Sequence, residues 1–82
     1  MKNKKLSEEE FLMLADVDIC IYDGFQDFAD LSKMHGVMKT TKLKLLVQEN
    51  YVRCRYSNES PSRLYFDLTK KGVDCLEKLA NK

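Results

Sequence analysis

Two short runs with period-two alternation, separated by a turn, constrain the fold of this chain more than any other feature. The first run covers residues 51–56 and the second covers residues 63–68, and Ser, Asn and Pro crowd the six residues between them. Such alternation is typical of a β-strand with one buried face. The chain is therefore predicted to contain an antiparallel hairpin. The side chains expected to face its core are Val52, Cys54, Tyr56, Leu64, Phe66 and Leu68.

The first helix is predicted to begin at Ser7 and to end near Tyr22. Ser7 and Glu10 have the spacing of a capping box, and acidic residues suit the positive end of a helix. The apolar residues of this helix form two stripes, which predicts that it is covered on two sides. Either the carboxy-terminal helix or a second copy of the chain could cover the second stripe. The expected core stripe is Phe11, Leu12, Ala15, Ile19 and Tyr22, and the second stripe, the candidate homodimer contact, is Leu14, Val17 and Ile21.

Three further helices are predicted. A short second helix covers residues 25–34 and ends at Gly36, which suits a cap with positive φ. The third helix covers residues 39–50, and a fourth follows Thr69, whose hydroxyl is placed to cap it. The fold class is therefore α+β. The inward residues are expected to be Phe28 and Leu31 in the second helix, Leu43, Leu46, Val47 and Asn50 in the third, and Val73, Leu76, Leu79 and Ala80 in the fourth.

Length and composition restrict the class of protein. The 82 residues are expected to form one domain, 1–82, with residues 1–6 as a flexible arm. No apolar run approaches the ~20 residues that cross a bilayer, so we expect a cytoplasmic protein without a membrane partner. The three cysteines are far apart and the single histidine stands alone, which does not suggest a metal site. Because no catalytic or cofactor-binding motif is present, we expect neither an enzyme nor a cofactor.

Charge is divided unequally along the chain. Residues 1–30 contain three lysines against eight carboxylates, a net −5, whereas residues 31–82 contain eleven Lys and Arg against five carboxylates, a net +6. A molecule with one acidic and one basic side can orient itself on a polyanion, and duplex DNA is the obvious polyanion. The small overall charge of +1 predicts a modest, salt-sensitive affinity.

The helical pair 26–50, the hairpin and the string Leu-Thr-Lys-Lys-Gly at residues 68–72 resemble the winged helix-turn-helix regulators of bacteria, archaea and mobile elements. MarR-like and PadR-like repressors are the nearest pattern, and the string is similar to the L-T-x-x-G that closes the wing in many of these proteins. The family usually has Gly where this chain has Asn50. It also usually has an apolar residue in the first turn of the third helix, where this chain has Lys39 or Thr40.

The resemblance implies a three-helix core, a two-stranded wing, a carboxy-terminal helix and a site for double-stranded DNA. The third helix would enter the major groove, and arginines of the wing would grip phosphates or a narrow minor groove. Alternatively, these residues form a solvated helix face and a charged guard along a sheet edge. The candidate DNA-binding residues are Lys39, Thr40, Thr41, Lys42, Lys44 and Gln48 in the third helix, and Arg53, Arg55, Asn58, Ser60 and Arg63 in the wing.

The sequence thus predicts a small, sequence-specific DNA-binding protein, homodimeric, acting as a transcriptional regulator such as a repressor or as an accessory factor of a phage, plasmid or other mobile element. The alternative is a winged-helix protein-interaction module whose acidic first helix binds a basic partner. The low net charge and the second apolar stripe favour the alternative. The segregated charge and the arginines of the wing favour DNA.

Overall fold

The computed structural model describes residues 6–80 and, within them, contains four helices and one two-stranded antiparallel sheet. The predicted α+β class and order of elements are confirmed. Of the predicted arm, residues 1–5 lie outside the described residues, and Leu6 is buried. No helix in the described range is long and apolar enough to cross a membrane. The elements are α1 (Glu8–Asp18), α2 (Phe28–His35), α3 (Val37–Gln48), β1 (Val52–Tyr56), β2 (Leu64–Leu68) and α4 (Lys70–Ala80).

The amino-terminal end of α1 is the predicted capping box. The N–H of Glu10 donates to Ser7 Oγ at 3.2 Å, and the N–H of Ser7 donates to Glu10 Oε1 at 2.8 Å. These two bonds use backbone donors that a helix start otherwise leaves without partners.

The carboxyl end of α1 is four residues earlier than predicted. Cys20 has φ 66°, and its N–H donates to the carbonyl of Val17 at 3.0 Å. The N–H of Ile21 donates to the carbonyl of Asp16 at 3.1 Å. These two bonds form a Schellman motif, which terminates a helix. Glycine usually occupies the left-handed position of that motif, and because cysteine occupies it here, the sequence did not mark this helix end.

The core-facing side of α1 also differs from the prediction. Leu12 and Ile19, expected inside, are 59% and 66% exposed. Leu14 and Val17, which either the carboxy-terminal helix or a second copy was expected to cover, are buried inside the monomer, where α1 packs against α3, α4 and β2; Ile21 is exposed. The proposed homodimer contact at Leu14 and Val17 is therefore wrong. The buried positions follow the i, i+3, i+4, i+7 spacing of one helix face: Glu10, Met13, Leu14 and Val17.

A single glycine separates α2 from α3. Asp27 caps α2, accepting from the N–H of Asp30 at 2.8 Å, and Gly36 with φ 95° links the two helices. Helix α3 begins at Val37, two residues earlier than predicted, and ends at Gln48. The earlier start does not change which leucines of this helix pair face the core. Leu31, Leu43 and Leu46 are buried as expected.

The hairpin has the predicted alternation, with one exception. Tyr56, expected inside, is 54% exposed at the turn end of β1, although its cross-strand partner Leu64 is buried. Leu68 and Cys54 are half-buried. In α4, the side chains of Leu79 and Ala80, which were expected to face inward, lie outside the described ones. The cross-strand pairs on the inner side of the hairpin are Val52 with Leu68, Cys54 with Phe66 and Tyr56 with Leu64.

Residues 23–25, between α1 and α2, cover the edge of β2 that faces away from β1. The N–H of Gly24 donates to the carbonyl of Leu64 at 2.8 Å, and the N–H of Leu64 donates to the carbonyl of Phe25 at 2.7 Å. The N–H of Phe66 donates to Asp23 Oδ1 at 2.9 Å. Because an unpaired strand edge invites association, these bonds both protect β2 and fix the hairpin to the helices.

Helix α3 ends in a second Schellman motif, centred on Asn50. Asn50 has φ 70°, and the N–H of Tyr51 donates to the carbonyl of Leu46 at 2.9 Å. Asparagine tolerates this left-handed conformation better than most residues. The chain therefore turns directly from α3 into β1.

The first turn of α4 is bonded to three consecutive carbonyls at the end of α3, which we call the 49–51 junction. The N–H of Thr69 donates to the carbonyl of Tyr51 at 3.1 Å, and Thr69 Oγ1 donates to the carbonyl of Asn50. Lys71 Nζ donates to the carbonyl of Glu49 at 2.9 Å. Thr69 Oγ1 also accepts from the N–H of Gly72 at 3.1 Å, which confirms it as the cap of α4.

Gly72 allows α4 to approach this junction closely. Gly72 is buried, and a Cβ atom at this position would lie 2.1 Å from the carbonyl oxygen of Tyr51. That separation is well inside any non-bonded contact, so the backbone of α4 would have to move. The glycine of the 68–72 string therefore has a steric function here.

We predict that Gly72→Ala destabilises the protein although alanine favours helices. Alanine in a helix interior normally raises the free energy of unfolding by about 1 kcal/mol relative to glycine. Here overpacking against Tyr51 should lower it by about 1–3 kcal/mol or more. Urea unfolding of Gly72→Ala, with Asp74→Ala on the exposed side of α4 as the control, measures the difference. An alanine variant as stable as the parent would contradict this packing.

We further predict that alanine substitutions at two leucines of α1 have very different effects on the free energy of unfolding. Leu14→Ala should lower the free energy of unfolding by about 2–5 kcal/mol, because a cavity opens in the core. Leu12→Ala should change it by less than about 0.5 kcal/mol, because the side chain is in solvent. Thermal and urea unfolding of both variants distinguish the two positions. A larger loss for Leu12→Ala would show that the core lies on the originally predicted face of α1.

Candidate functional site

The outward side of α3 is a continuous exposed surface. At about 100° per residue, the helix places Val37, Thr41, Lys44 and Gln48 together, with Met38 and Leu45 along one flank. Each of these side chains is exposed, and Val37 and Met38 are 70% and 75% exposed. We call this set the α3 outer face: Val37, Met38, Thr41, Lys44, Leu45 and Gln48.

No residue of α3 carries a negative charge. Its 12 residues include three lysines and no carboxylate, whereas the 11 residues of α1 include five carboxylates and no cation. An ion pair at 3.5 Å between Lys42 Nζ and Glu9 Oε1 joins the two helices. The charge segregation seen along the sequence thus becomes a contrast between two packed helices. A polyanion would be attracted to α3 and repelled by α1.

The amino-terminal end of α3 has no side-chain cap. Gly36 occupies the cap position, and no side chain bonds to the first turn; the other three helices are capped by Ser7, Asp27 and Thr69. The first N–H with an acceptor inside α3 is that of Thr40, which donates to the carbonyl of Gly36 at 3.2 Å. The preceding N–H groups point out of the helix end, where the macrodipole is positive. This end of α3 is suited to an anionic group.

Thr40 does not belong to the site. It is 3% exposed, and its Oγ1 donates to the carbonyl of Gly36 at 2.9 Å. The expectation that Thr40 contacts a ligand is therefore wrong. Within α3, Thr40 lies on the inward side, one turn before the buried Leu43.

Lys39 and Lys42 lie on a different side of α3 from the rest of the predicted set. Helical geometry separates Lys39 from Lys44 by about 140° around the axis. Lys42, three residues after Lys39, is half-buried and paired with Glu9. Lys42 therefore contributes its positive charge next to α1, and both lysines are outside the α3 outer face.

Lys44 is held over an aromatic side chain. Its Nζ lies 4.9 Å from the centroid of the Phe28 ring, and Phe28 contacts Phe66 edge-on with a centroid distance of 6.0 Å. The cation–π contact fixes the lysine stem and leaves the ammonium group exposed. Through these rings, α2, α3 and the inner side of the hairpin support one another.

Arg53 and Arg55 are exposed on the outer side of the hairpin, but a carboxylate lies between them. Arg53 is the cross-strand partner of Asp67, and Arg55 Nε lies 3.3 Å from Asp67 Oδ2. The Arg55 guanidinium also lies 5.4 Å from the centroid of the Tyr65 ring. An exposed ion pair of this kind contributes only about 0–1 kcal/mol, so a phosphate could compete for the arginine. The sequence reasoning omitted Asp67, which reduces the charge of this surface.

The remaining predicted residues of the hairpin are spread over different surroundings. Asn58 and Ser60 are exposed in the turn. Arg63 is half-buried, and its Nη1 donates to the carbonyl of Gly24 at 3.3 Å. Arg63 therefore helps to attach the hairpin to residues 23–25, and its guanidinium is not free on the outer side with Arg53 and Arg55.

The thiols are not activated as nucleophiles. A hydrogen bond with Asp23 raises the pKa of Cys20, and burial raises the pKa of Cys54 and of Cys75. A raised pKa keeps a thiol protonated near neutral pH, and the thiolate is the reactive form. Among residues 6–80, no three His, Cys, Asp or Glu side chains are grouped closely enough to hold a metal ion.

No protein-family model, curated protein or solved structure matches this chain. The site must therefore be judged by its own geometry. Of the predicted residues, Thr41, Lys44 and Gln48 share the α3 outer face. The prediction missed Val37 and Met38 because helix three was expected to start at residue 39, although Gly36 just before them was a usable signal for a helix boundary.

Proposed function

We propose that this protein is a small winged-helix protein that binds double-stranded DNA, with α3 in the major groove and the β1–β2 hairpin as the wing. The observation that carries the proposal is the α3 outer face, whose side chains are all exposed to solvent, which contains no carboxylate and which follows an uncapped helix start. A solvated helix face kept polar for solubility would normally mix both signs of charge.

The dimensions and chemistry of α3 suit the major groove. An α-helix fits a groove about 12 Å wide, and residues near its start contact base edges. The free N–H groups at the start of α3 can donate to a phosphate. Lys44 can donate to a phosphate oxygen, Gln48 can donate to base acceptors, and the Thr41 hydroxyl can both donate and accept. The acidic α1 packs against α3 from another side and would face away from the duplex.

In this proposal the hairpin adds backbone contacts. Arg53 and Arg55 are exposed, and an arginine fork can bind two phosphate oxygens. Asp67 is close to both and opposes an approaching phosphate, so their contribution is smaller than their number suggests. We therefore assign the larger share of affinity to α3.

The biological role that follows is regulation of a promoter or marking of a DNA site in the cytoplasm, as a repressor or as an accessory factor of a mobile element. The bound protein would act by occluding that DNA site. A homodimer, which many such regulators form, would need a surface other than Leu14 and Val17.

A second candidate function is a protein-interaction module without affinity for DNA. The exposed Leu12 on the acidic α1 and the exposed Ile19 directly after it favour it, because apolar side chains flanked by carboxylates suit a basic partner. Under this alternative the α3 outer face would have no role in binding a polyanion. The two candidates are therefore distinguished by the salt dependence of DNA binding.

We predict that the affinity of the protein for a short mixed-sequence duplex falls steeply as the salt concentration rises, and that Lys44 contributes to this dependence. Each neutralised phosphate adds about −0.9 to the slope of log K against log salt concentration. Lys44→Gln should therefore reduce the magnitude of the slope by about 1, if Lys44 contacts a phosphate. Fluorescence anisotropy over a salt series measures this, with Lys78→Gln on α4 as the charge-matched control.

The control variant should keep the slope of the parent protein. Absence of binding at low salt, or equal slopes for all three proteins, would contradict the assignment of the α3 outer face to DNA. Glutamine is chosen because it keeps side-chain bulk over Phe28, so a loss of folding is not expected to mimic a loss of contact.

A further inference from the structure

The α3 outer face carries several exposed methyl groups, which a helix face in contact with water does not require. Val37 and Met38 are 70% and 75% exposed, Leu45 is 37% exposed, and Thr41 presents a methyl on the same side. None of these side chains is required by the core, which Leu43 and Leu46 supply from the opposite side of α3. These four residues form a methyl stripe along α3: Val37, Met38, Thr41 and Leu45.

The surroundings of the methyl stripe are electropositive. Lys44 lies on the same outer face, α3 contains no carboxylate, and its uncapped first turn begins at Val37. The stripe is therefore complementary to a surface that is anionic and also presents apolar groups. An apolar partner with acidic side chains and a duplex rich in A·T pairs both have this character. The helix start and the hydrogen-bonding groups of Thr41, Lys44 and Gln48 favour the duplex.

Thymine is the base that presents an apolar group in the major groove. Its 5-methyl projects into that groove beside the O4 acceptor, and threonine methyls and other apolar side chains contact it. We infer that the methyl stripe reads thymine 5-methyl groups, so that the protein prefers duplexes with thymine in the major groove facing α3. This inference rests on the proposed DNA-binding function and specifies which base feature the site recognises.

The length of the stripe sets the extent of the contact. From Val37 to Leu45 the helix rises about 12 Å at 1.5 Å per residue. Base pairs in a duplex are stacked about 3.4 Å apart, so the stripe spans roughly three to four of them. Met38 is the most exposed member and lies in the first turn, where a helix in the groove is closest to the bases. Met38 should therefore contribute most to the discrimination.

The test compares two duplexes that differ only in the 5-methyl group. One contains thymine and the other contains deoxyuridine at every thymine position, so Watson–Crick pairing and charge are unchanged. Fluorescence anisotropy with the full chain should give an affinity for the thymine duplex about fourfold higher for each buried methyl contact. Met38→Ala should bring the two affinities together without changing the salt slope, and Leu12→Ala on α1 should keep the parent preference.

Each outcome has one meaning. A thymine preference that Met38→Ala removes supports the inference. Equal affinity for the two duplexes, with a steep salt dependence, overturns the inference and leaves the proposed function intact. A preference that Met38→Ala does not change but Leu12→Ala abolishes also overturns it, because the reading surface is then elsewhere. No binding to either duplex overturns both the inference and the proposed function. Because Met38 and Leu12 are exposed, both variants are expected to fold, and circular dichroism verifies this.

Discussion

The 49–51 junction is the interaction on which the rest of the structure depends. Three consecutive carbonyls at the end of α3 accept from Thr69 and Lys71 at the start of α4, and Gly72 provides the space for this approach. The same short segment turns α3 into β1 through the left-handed Asn50. The direction of α3, the direction of the hairpin and the position of α4 are thus set in one place, because the same three residues link all of these elements.

This arrangement leaves the outer side of α3 exposed, with Lys44 packed over the Phe28 ring. The inward side supplies Thr40, Leu43 and Leu46 to the core, and Lys42 is paired with α1. What remains outside is apolar, hydroxyl, amide and cationic, with no carboxylate to repel an anion. Five of the thirteen carboxylates lie on α1, where they can orient the molecule without occupying the α3 outer face. The proposed function and the reading of thymine methyl groups follow from this division between neighbouring helices.

Local signals in the sequence predicted those parts of the fold that local chemistry decides. The capping box at Ser7, the cap at Thr69 and the strand alternation were all predicted correctly, because each depends on residues within a few positions. The end of α1 was missed because Cys20 occupies a position that usually needs glycine. The pairing of residues 23–25 with β2 was missed because it joins segments about forty residues apart, for which no short-range pattern exists. The prediction of the candidate site was affected by an error of two residues in the start of α3. Because of this error, Thr40 was expected to be exposed, and Val37 and Met38 were omitted from the predicted site.

The central claim, that the α3 outer face is the surface that meets a nucleic acid, is tested most directly by residue-resolved NMR. Amide chemical shifts of the labelled protein would be followed as a short duplex is added at low salt. The account predicts saturable changes concentrated in residues 37–45, with smaller ones at Arg53 and Arg55 and little change along α1. Changes concentrated along α1, or the absence of saturable changes anywhere, would contradict it.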